Sequence, residues 1–396
     1  MKLPFATLDV FTSTRMQGNP LAVVTVPRHL RDKLAQADKQ RIAREFNLSE
    51  TVFLHEAGGG GDDDAEGTAA AAEDGAGSSP GSRGRRRIVD IFTVDREIPF
   101  AGHPTIGTAV WCLFHEDGKY SGSSAAAAAD GGGVPALDAL ITKAGPIGIT
   151  TSSSTSSSGR SVASGAELGG ESTAGQFVSA SIPHNVHIHE HTLADILNIS
   201  SPPSNDGRVP EVEGLSADPA IRAAELAAPV VSIVNGMTFL LVKLSSLEAL
   251  GRVAISALDY AKLSPSAAGE KKFLLDEGWR DSLVARYYYV DVPANGNQAG
   301  VGKEEDVRHL RTRMIEFNME DPATGSAASA LACYLTLAGG TGKKFVMTQG
   351  VEMGRKSVIS IETTTKGASG DGGKVEIGEV HLGGTAVVVM KGVLTI

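Results

Sequence analysis

The chain has 396 residues, 41% of them hydrophobic and 21% charged, and a formal net charge of −10 at pH 7. That length exceeds a usual single domain and points to two. The negative balance, with no compensating basic face, argues against nucleic acid or an anionic membrane as partner, and no apolar run is long enough to span a bilayer. The opening segment Leu3 to Phe11 lacks a signal-peptide pattern, and the two cysteines, Cys112 and Cys333, sit in apolar stretches as packed thiols do, so a cytoplasmic location is expected.

In chain order, β-branched or alternating runs bounded by Gly, Asn or Pro predict strands over Thr7 to Thr12, Ala22 to Val26, Thr51 to His55 and Ile88 to Val94, then Gln176 to Ile182, Val230 to Asn235 and Thr238 to Leu244. Further strands are predicted over Ala285 to Val292, Lys344 to Met347, Ser357 to Glu362 and Ala386 to Lys391. Helices are expected over Arg31 to Phe46, Thr192 to Leu197, Ser246 to Arg252 and two apolar segments described below. No parallel strand–helix–strand alternation is visible, and no G-x-G-x-x-G sequence opens a helix. Four tracts rich in Gly, Ala, Ser and Asp (58–86, 122–133, 151–175 and 201–219) cannot bury enough apolar surface to order themselves and are expected as flexible surface insertions. The basic run Arg83 to Arg87 borders the first of them and is expected to be solvated.

The most informative stretch is Glu320 to Leu335, a polar turn opening into a helix of small residues. Asp321 suits an N-cap, Pro322 the first helical position, and Thr324, Gly325 and Ser326 leave backbone N–H groups free for an anion. The residues that follow are apolar almost all round, as in a helix covered on every side. The phrase recurs 218 positions earlier, His103-Pro-Thr-Ile-Gly-Thr-Ala109 against Asp321-Pro-Ala-Thr-Gly-Ser-Ala327, and again runs into an apolar segment. Two related halves, 1–135 and 136–396, would then each aim a helix start at a shared cleft, with the last strand returning to the N-terminal half.

Several blocks together resemble the PhzF family of phenazine-biosynthesis-like isomerases, which share the diaminopimelate-epimerase fold. They are Asp9-Val-Phe-Thr12, Gly18 to Val24, Ala43 to Phe53, Glu97 to Gly107, Glu320 to Ala327 and Gln349-Gly-Val-Glu-Met-Gly-Arg355, in family order over nearly the whole chain. The resemblance implies an α+β fold of two similar domains, each a curled, mostly antiparallel sheet around a central helix. It further implies an isomerase that needs no cofactor or metal and moves a proton between carbons of a small cyclic carboxylate of the dihydro-3-hydroxyanthranilate class, with a homodimer as the expected assembly. Glu50 would be the general acid/base, with His103 and Asp321 beside it, and Asn19, Gly102, Gly107, Thr108, Gly325 and Ser326 would bind substrate.

Taken alone, Glu50 reads as an exposed turn carboxylate, His103 as a core histidine and Asp321 as a plain N-cap. Other members of the same fold are racemases with paired catalytic cysteines. Here the two motif starts are His103 and Asp321, with the cysteines deeper in the helices, which disfavours thiol chemistry. A silent binding protein that uses its insertions as partner surfaces is the reading from another class. His184, His187, His189 and His191 offer imidazoles for zinc but lack a visible complementary cluster. Gly339 to Lys344 echoes a phosphate loop without its spacing and reads as a turn. Arg355 suits a substrate carboxylate or a surface ion pair, and Arg313 to Met319 departs from the family pattern by lacking a proline, which leaves the substrate open.

Overall fold

A computed structural model of the chain describes residues 1–57, 85–116, 137–151, 176–199, 210–260, 263, 272–293, 307–339, 342–367 and 375–396. Of the expected insertions, 58–84, 122–133, 152–175 and 201–209 lie outside these residues. Up to Ser181 the elements are β1 (Lys2–Val10), β2 (Asn19–Val26), α1 (Gln36–Phe46), β3 (Thr51–His55), β4 (Arg85–Phe92), β5 (Glu97–Ile98), α2 (Gly102–Phe114), β6 (Leu137–Thr142), β7 (Gly145–Thr151) and β8 (Val178–Ser181). From Ile182 they are β9 (His187–Ile188), α3 (Leu193–Ile196), α4 (Pro219–Leu226), β10 (Val230–Val234), β11 (Met237–Lys243), α5 (Leu247–Gly251), β12 (Leu283–Val292), β13 (Val307–Glu316), β14 (Met319–Asp321), α6 (Gly325–Gly339), β15 (Lys344–Gln349), β16 (Ser357–Lys366), β17 (Glu376–Gly384) and β18 (Ala386–Thr395).

The chain divides into two compact units, one of Met1–Met16, Pro20–Ser181 and Gly384–Ile396, the other of Gln17–Asn19 and Ile182–Gly383. Strands β6 to β8 thus belong with the first unit, whereas sequence places the boundary after residue 135. In the first unit β1 pairs antiparallel with β18, from Lys2 opposite Thr395 to Val10 opposite Ala386. Strands β2, β3, β4, β6, β7 and β8 follow in pairing order. This sheet curls around α2, which packs against β1, β3, β6, β8 and β18. Residues 102–112 of α2 are all buried, as its nearly all-round apolar sequence requires.

The second unit repeats the plan with α6 against β10, β11 and β16, and all of Gly325 to Cys333 is buried. Its pairing order is β9, β10, β11, β12, β13, β15, β16, β17, with β14 folded back on β13. The fold is α+β.

Four parallel pairs correct the expectation that no strand–helix–strand alternation occurs: β2 with β3, β4 with β6, β11 with β12 and β13 with β15. Each is bridged by a helix, but the connections vary in length and two also carry a short strand, which hides the period from the sequence. Arg85 and Arg86 are strand residues of β4, and Arg87 is buried rather than solvated, donating to the His55 carbonyl and pairing with Glu116. Residues 210–219 are ordered too: Leu215 is buried, and Asp218 caps α4 through the N–H groups of Ala220 and Ile221. The expected first helix begins five residues late, at Gln36, after a 3-10 turn over Arg28–Leu30.

Candidate active site

In the first unit the site is built where α1 hands the chain to β3. The helix stops at Asn47, whose left-handed φ of 51° suits asparagine and whose N–H still bonds to the Ala43 carbonyl. Strand β3 starts four residues on, so Glu50 stands at its threshold. Its side chain is 17% exposed, and Oε2 is buried without a hydrogen-bond partner among the described residues. Burial pushes the carboxyl up to about 7, against a smaller lowering influence of the Ser49 side chain. His103 Nε2 lies 3.6 Å from Glu50 Oε2, close for electrostatics and long for a direct hydrogen bond. A carboxyl balanced near neutrality can both take and return a proton.

His103 is the second residue of α2 and is buried. Gly102 opens the helix, so Gly102 and His103 occupy its first turn, where backbone N–H groups have no helical partner. Gly107 and Thr108 do not share that position. They lie more than a turn deeper, fully buried, and a Cβ at Gly107 would come within 2.6 Å of Leu21 Cδ2 and 2.7 Å of Val10 Cγ2. Glycine there lets α2 approach the sheet, which is a packing reason for the glycine.

In the second unit the matching phrase is arranged differently. Asp321 ends β14, and α6 starts only at Gly325, with the Thr324 carbonyl accepting from the Ala328 N–H at 3.0 Å. Asp321 is therefore a strand terminus and not an N-cap, and the repeat is not conformationally symmetric: its proline is inside the helix in one copy and ahead of it in the other. The Asp321 carboxylate is held at both oxygens, by Asn19 Nδ2 at 2.8 Å on Oδ1 and by the Thr324 hydroxyl at 2.5 Å on Oδ2. Asn19 gives its second amide hydrogen to the Ala323 carbonyl at 2.9 Å, so both its donors are used within the protein. Gly325 and Ser326 open α6, where first-turn N–H groups and the Ser326 hydroxyl suit an anion. The structure thus brings Glu50 together with His103, and Asp321 together with Asn19, Gly325 and Ser326, each group inside its own unit.

Sequence reasoning missed the residues that tie down the second group. Arg355 Nε donates to the Gly18 carbonyl at 2.8 Å and Nη2 to the Gln17 carbonyl at 3.1 Å. The Gly18 N–H returns a bond to the Lys356 carbonyl, so the segment carrying Asn19 is stitched to residues 355–356. Buried Gln349 contacts Asp321 and Thr324 together. The signal for both was the Gln349 to Arg355 block itself. Arg313, in the segment that departs from the family pattern, holds Glu320 through Nε at 2.8 Å and Nη2 at 2.7 Å.

Cys112 and Cys333 are buried and not joined in a disulfide, and burial pushes the Cys333 thiol up to about 12. Among the histidines, His187, His189 and Asp276 offer donor atoms within 4.8 Å of one another. Hydrogen bonds already engage them: His187 Nε2 meets Asp276 Oδ2 at 2.7 Å, the Asp276 N–H donates to His189 Nδ1 at 3.1 Å, and His189 Nε2 meets Ser232 Oγ at 2.9 Å. A cation there would have to displace the first two. The same bonds leave the Nε2 hydrogen on His189, the wrong tautomer to activate Ser232, which is fully buried.

Residues 8–151 and 309–392 match the PhzC-PhzF family, described as phenazine biosynthesis-like protein. An uncharacterised isomerase of Mesorhizobium japonicum is 29% identical over 98% of this chain and 97% of its own length. Trans-2,3-dihydro-3-hydroxyanthranilate isomerase of Pseudomonas fluorescens is 34% identical over 28% of this chain and 31% of its own. Among solved structures, a PhzF-family phenazine biosynthesis protein of Bacillus anthracis has a TM-score of 0.53 at 16% identity, covering 100% of both chains. A predicted epimerase of Pseudomonas aeruginosa has a TM-score of 0.54 at 21% identity, covering 100% of this chain and 99% of its own. These structures share the fold, and the family match spans more than half of the sequence: the chain belongs to the phenazine biosynthesis-like family of isomerases.

Proposed function

We propose that this isomerase moves a proton between two carbons of a small cyclic carboxylate, with Glu50 as its acid/base and trans-2,3-dihydro-3-hydroxyanthranilate as the substrate class to test. The observation that carries the reading is the buried Glu50 carboxyl near 7 beside His103. Its carboxylate takes the proton from one carbon, the C–H electron pair shifts through the adjacent double bond, and the new carboxyl returns the proton to the far carbon, so atoms and charge balance. His103 and Asp321 hold the polar substituents, and the first-turn donors of α6, Gly325 and Ser326, hold the carboxylate. A substrate of this class is borrowed from the named isomerase that resembles part of the chain. Thiol racemisation is the weaker alternative, because a Cys333 thiol raised to about 12 is a poor source of thiolate.

The test is turnover of trans-2,3-dihydro-3-hydroxyanthranilate by wild type, Glu50→Gln, Cys112→Ala and Cys333→Ala. Glu50→Gln is expected to lose on the order of a hundredfold in kcat, while the cysteine variants stay within about threefold. Loss in the cysteine variants with retention in Glu50→Gln would overturn the assignment.

A further inference from the structure

The reaction above gives no task to the block Gln349 to Arg355. Gln349 is fully buried at the end of β15, and its amide is saturated inside the second unit. Nε2 donates to the Asp321 carbonyl at 2.8 Å and to Thr324 Oγ1 at 3.1 Å. Oε1 accepts from the Thr324 N–H at 3.3 Å and from the Tyr287 hydroxyl at 3.1 Å.

This pattern fixes directions as well as distances. Turning the amide over would set its oxygen against the Asp321 carbonyl, which can only accept, so one orientation is selected. The Thr324 oxygen, accepting from Gln349, turns its single hydrogen toward Asp321 Oδ2. One side chain thereby sets the main chain of Asp321, the hydroxyl that grips its carboxylate, and the N–H of the residue preceding α6. The following residue explains the approach: Gly350 has φ +73°, and a Cβ there would lie 2.7 Å from the Pro322 carbonyl and 2.4 Å from that of Arg355. Glycine lets the end of β15 lie against the turn beyond Asp321, within reach of the amide.

We propose that Gln349 is a positioning residue for the Asp321 half of the site, acting through Thr324 to aim the Asp321 carboxylate and to place the start of α6. The assignment rests on the reading of Asp321 as substrate-facing, and its first test is made without substrate. In protein labelled at threonine methyl groups, the χ1 rotamer of Thr324 is read from three-bond couplings in wild type, Gln349→Met and Tyr287→Phe. Met keeps the length and bulk without the amide. Wild type and Tyr287→Phe are expected to hold one Thr324 rotamer, and Gln349→Met to average several. A single unchanged rotamer in folded Gln349→Met overturns the proposal; should that variant not fold, Gln349→Glu, which keeps the acceptors and loses both donors, is measured in its place against the same criterion.

The second test is turnover of trans-2,3-dihydro-3-hydroxyanthranilate. Gln349→Met is expected to lower kcat at least about tenfold with KM within about threefold, and to add less than about twofold in an Asp321→Asn background, because the two act as one unit. Full additivity, or a loss confined to melting temperature, assigns Gln349 to stability alone and overturns the proposal. If wild type does not turn this compound over, the substrate class above is wrong, and the Thr324 rotamer decides the positioning role by itself.

Discussion

A carboxyl raised from 4.5 to about 7 holds its proton in the folded chain over a range where the unfolded chain has released it. Folding therefore binds more protons than unfolding between those values, and stability contributed at Glu50 falls as pH rises from about 4.5 to 7. Above 7 the folded state carries a buried charge that costs roughly 3 kcal/mol relative to the unfolded chain. Glu50→Gln removes that ionisation, so urea unfolding should find the variant more stable than wild type at pH 8 by an amount of this order, with little difference at pH 4. Equal stability at both pH values would mean that Glu50 is solvated. His189 behaves oppositely: burial pushes its imidazole down to about 4 against the raising influence of Asp276, so it stays neutral in the fold while the unfolded chain protonates near 6.5. Its contribution is present above 6.5 and is lost as pH falls toward 4, and His189→Asn should flatten the acid limb of the melting-temperature profile. That Glu50 sits between a helix and a strand is readable from Asn47-Leu-Ser-Glu-Thr51. That its carboxyl is buried is not, because burial is decided by residues far away in the chain.

Elements that are continuous apolar or β-branched runs were legible, and those that compensate charge through the fold were not. Strand β3 matches its predicted span, Thr51–His55, because every residue is apolar or β-branched except at its end. Strand β13 was missed because Arg308, Arg311 and Arg313 interrupt it, and only the folded pairing with Asp291, Glu352 and Glu320 makes such a strand tolerable. Helix α4 was missed because its cap Asp218 and first residue Pro219 fall at the end of a tract read as low complexity, although a cap followed by proline at the first position marks a helix start. The two repeat copies were legible as a turn plus buried helix, but not that β14 would draw Asp321 into a strand. Gly350→Ala is expected to cost about 2 kcal/mol or more, since the side chain would meet main-chain oxygens at a left-handed φ, and chemical denaturation checks it. Gly107→Ala meets only side-chain ends and should cost about 1 to 3 kcal/mol through overpacking of α2 on the sheet. Arg87→Ala leaves the buried His55 carbonyl without its two donors while Glu116 keeps Arg85, with an expected loss of about 1 to 3 kcal/mol.

Across the whole molecule, chain order and unit membership differ. The last strand, β18, completes the first unit by pairing with β1 along its full length, and Ala386 and Val387 are buried there. A chain ending before Ala386 should therefore lose its first unit cooperatively, seen as loss of protected amides in β1 and α2 by hydrogen exchange, while retained protection would show that β18 is dispensable. The short segment Gln17–Asn19 makes the converse excursion, clustering with the second unit under Arg355.

The central claim, that Glu50 is the acid/base, is tested most directly by solvent exchange as a function of pH. With trans-2,3-dihydro-3-hydroxyanthranilate in heavy water, deuterium uptake into carbon by wild type should rise as pH climbs through about 7, where the Glu50 carboxylate forms. Glu50→Gln should be slower by on the order of a hundredfold and flat through the same range. Uptake by Glu50→Gln within about twofold of wild type, with the rise near 7 intact, would contradict the claim.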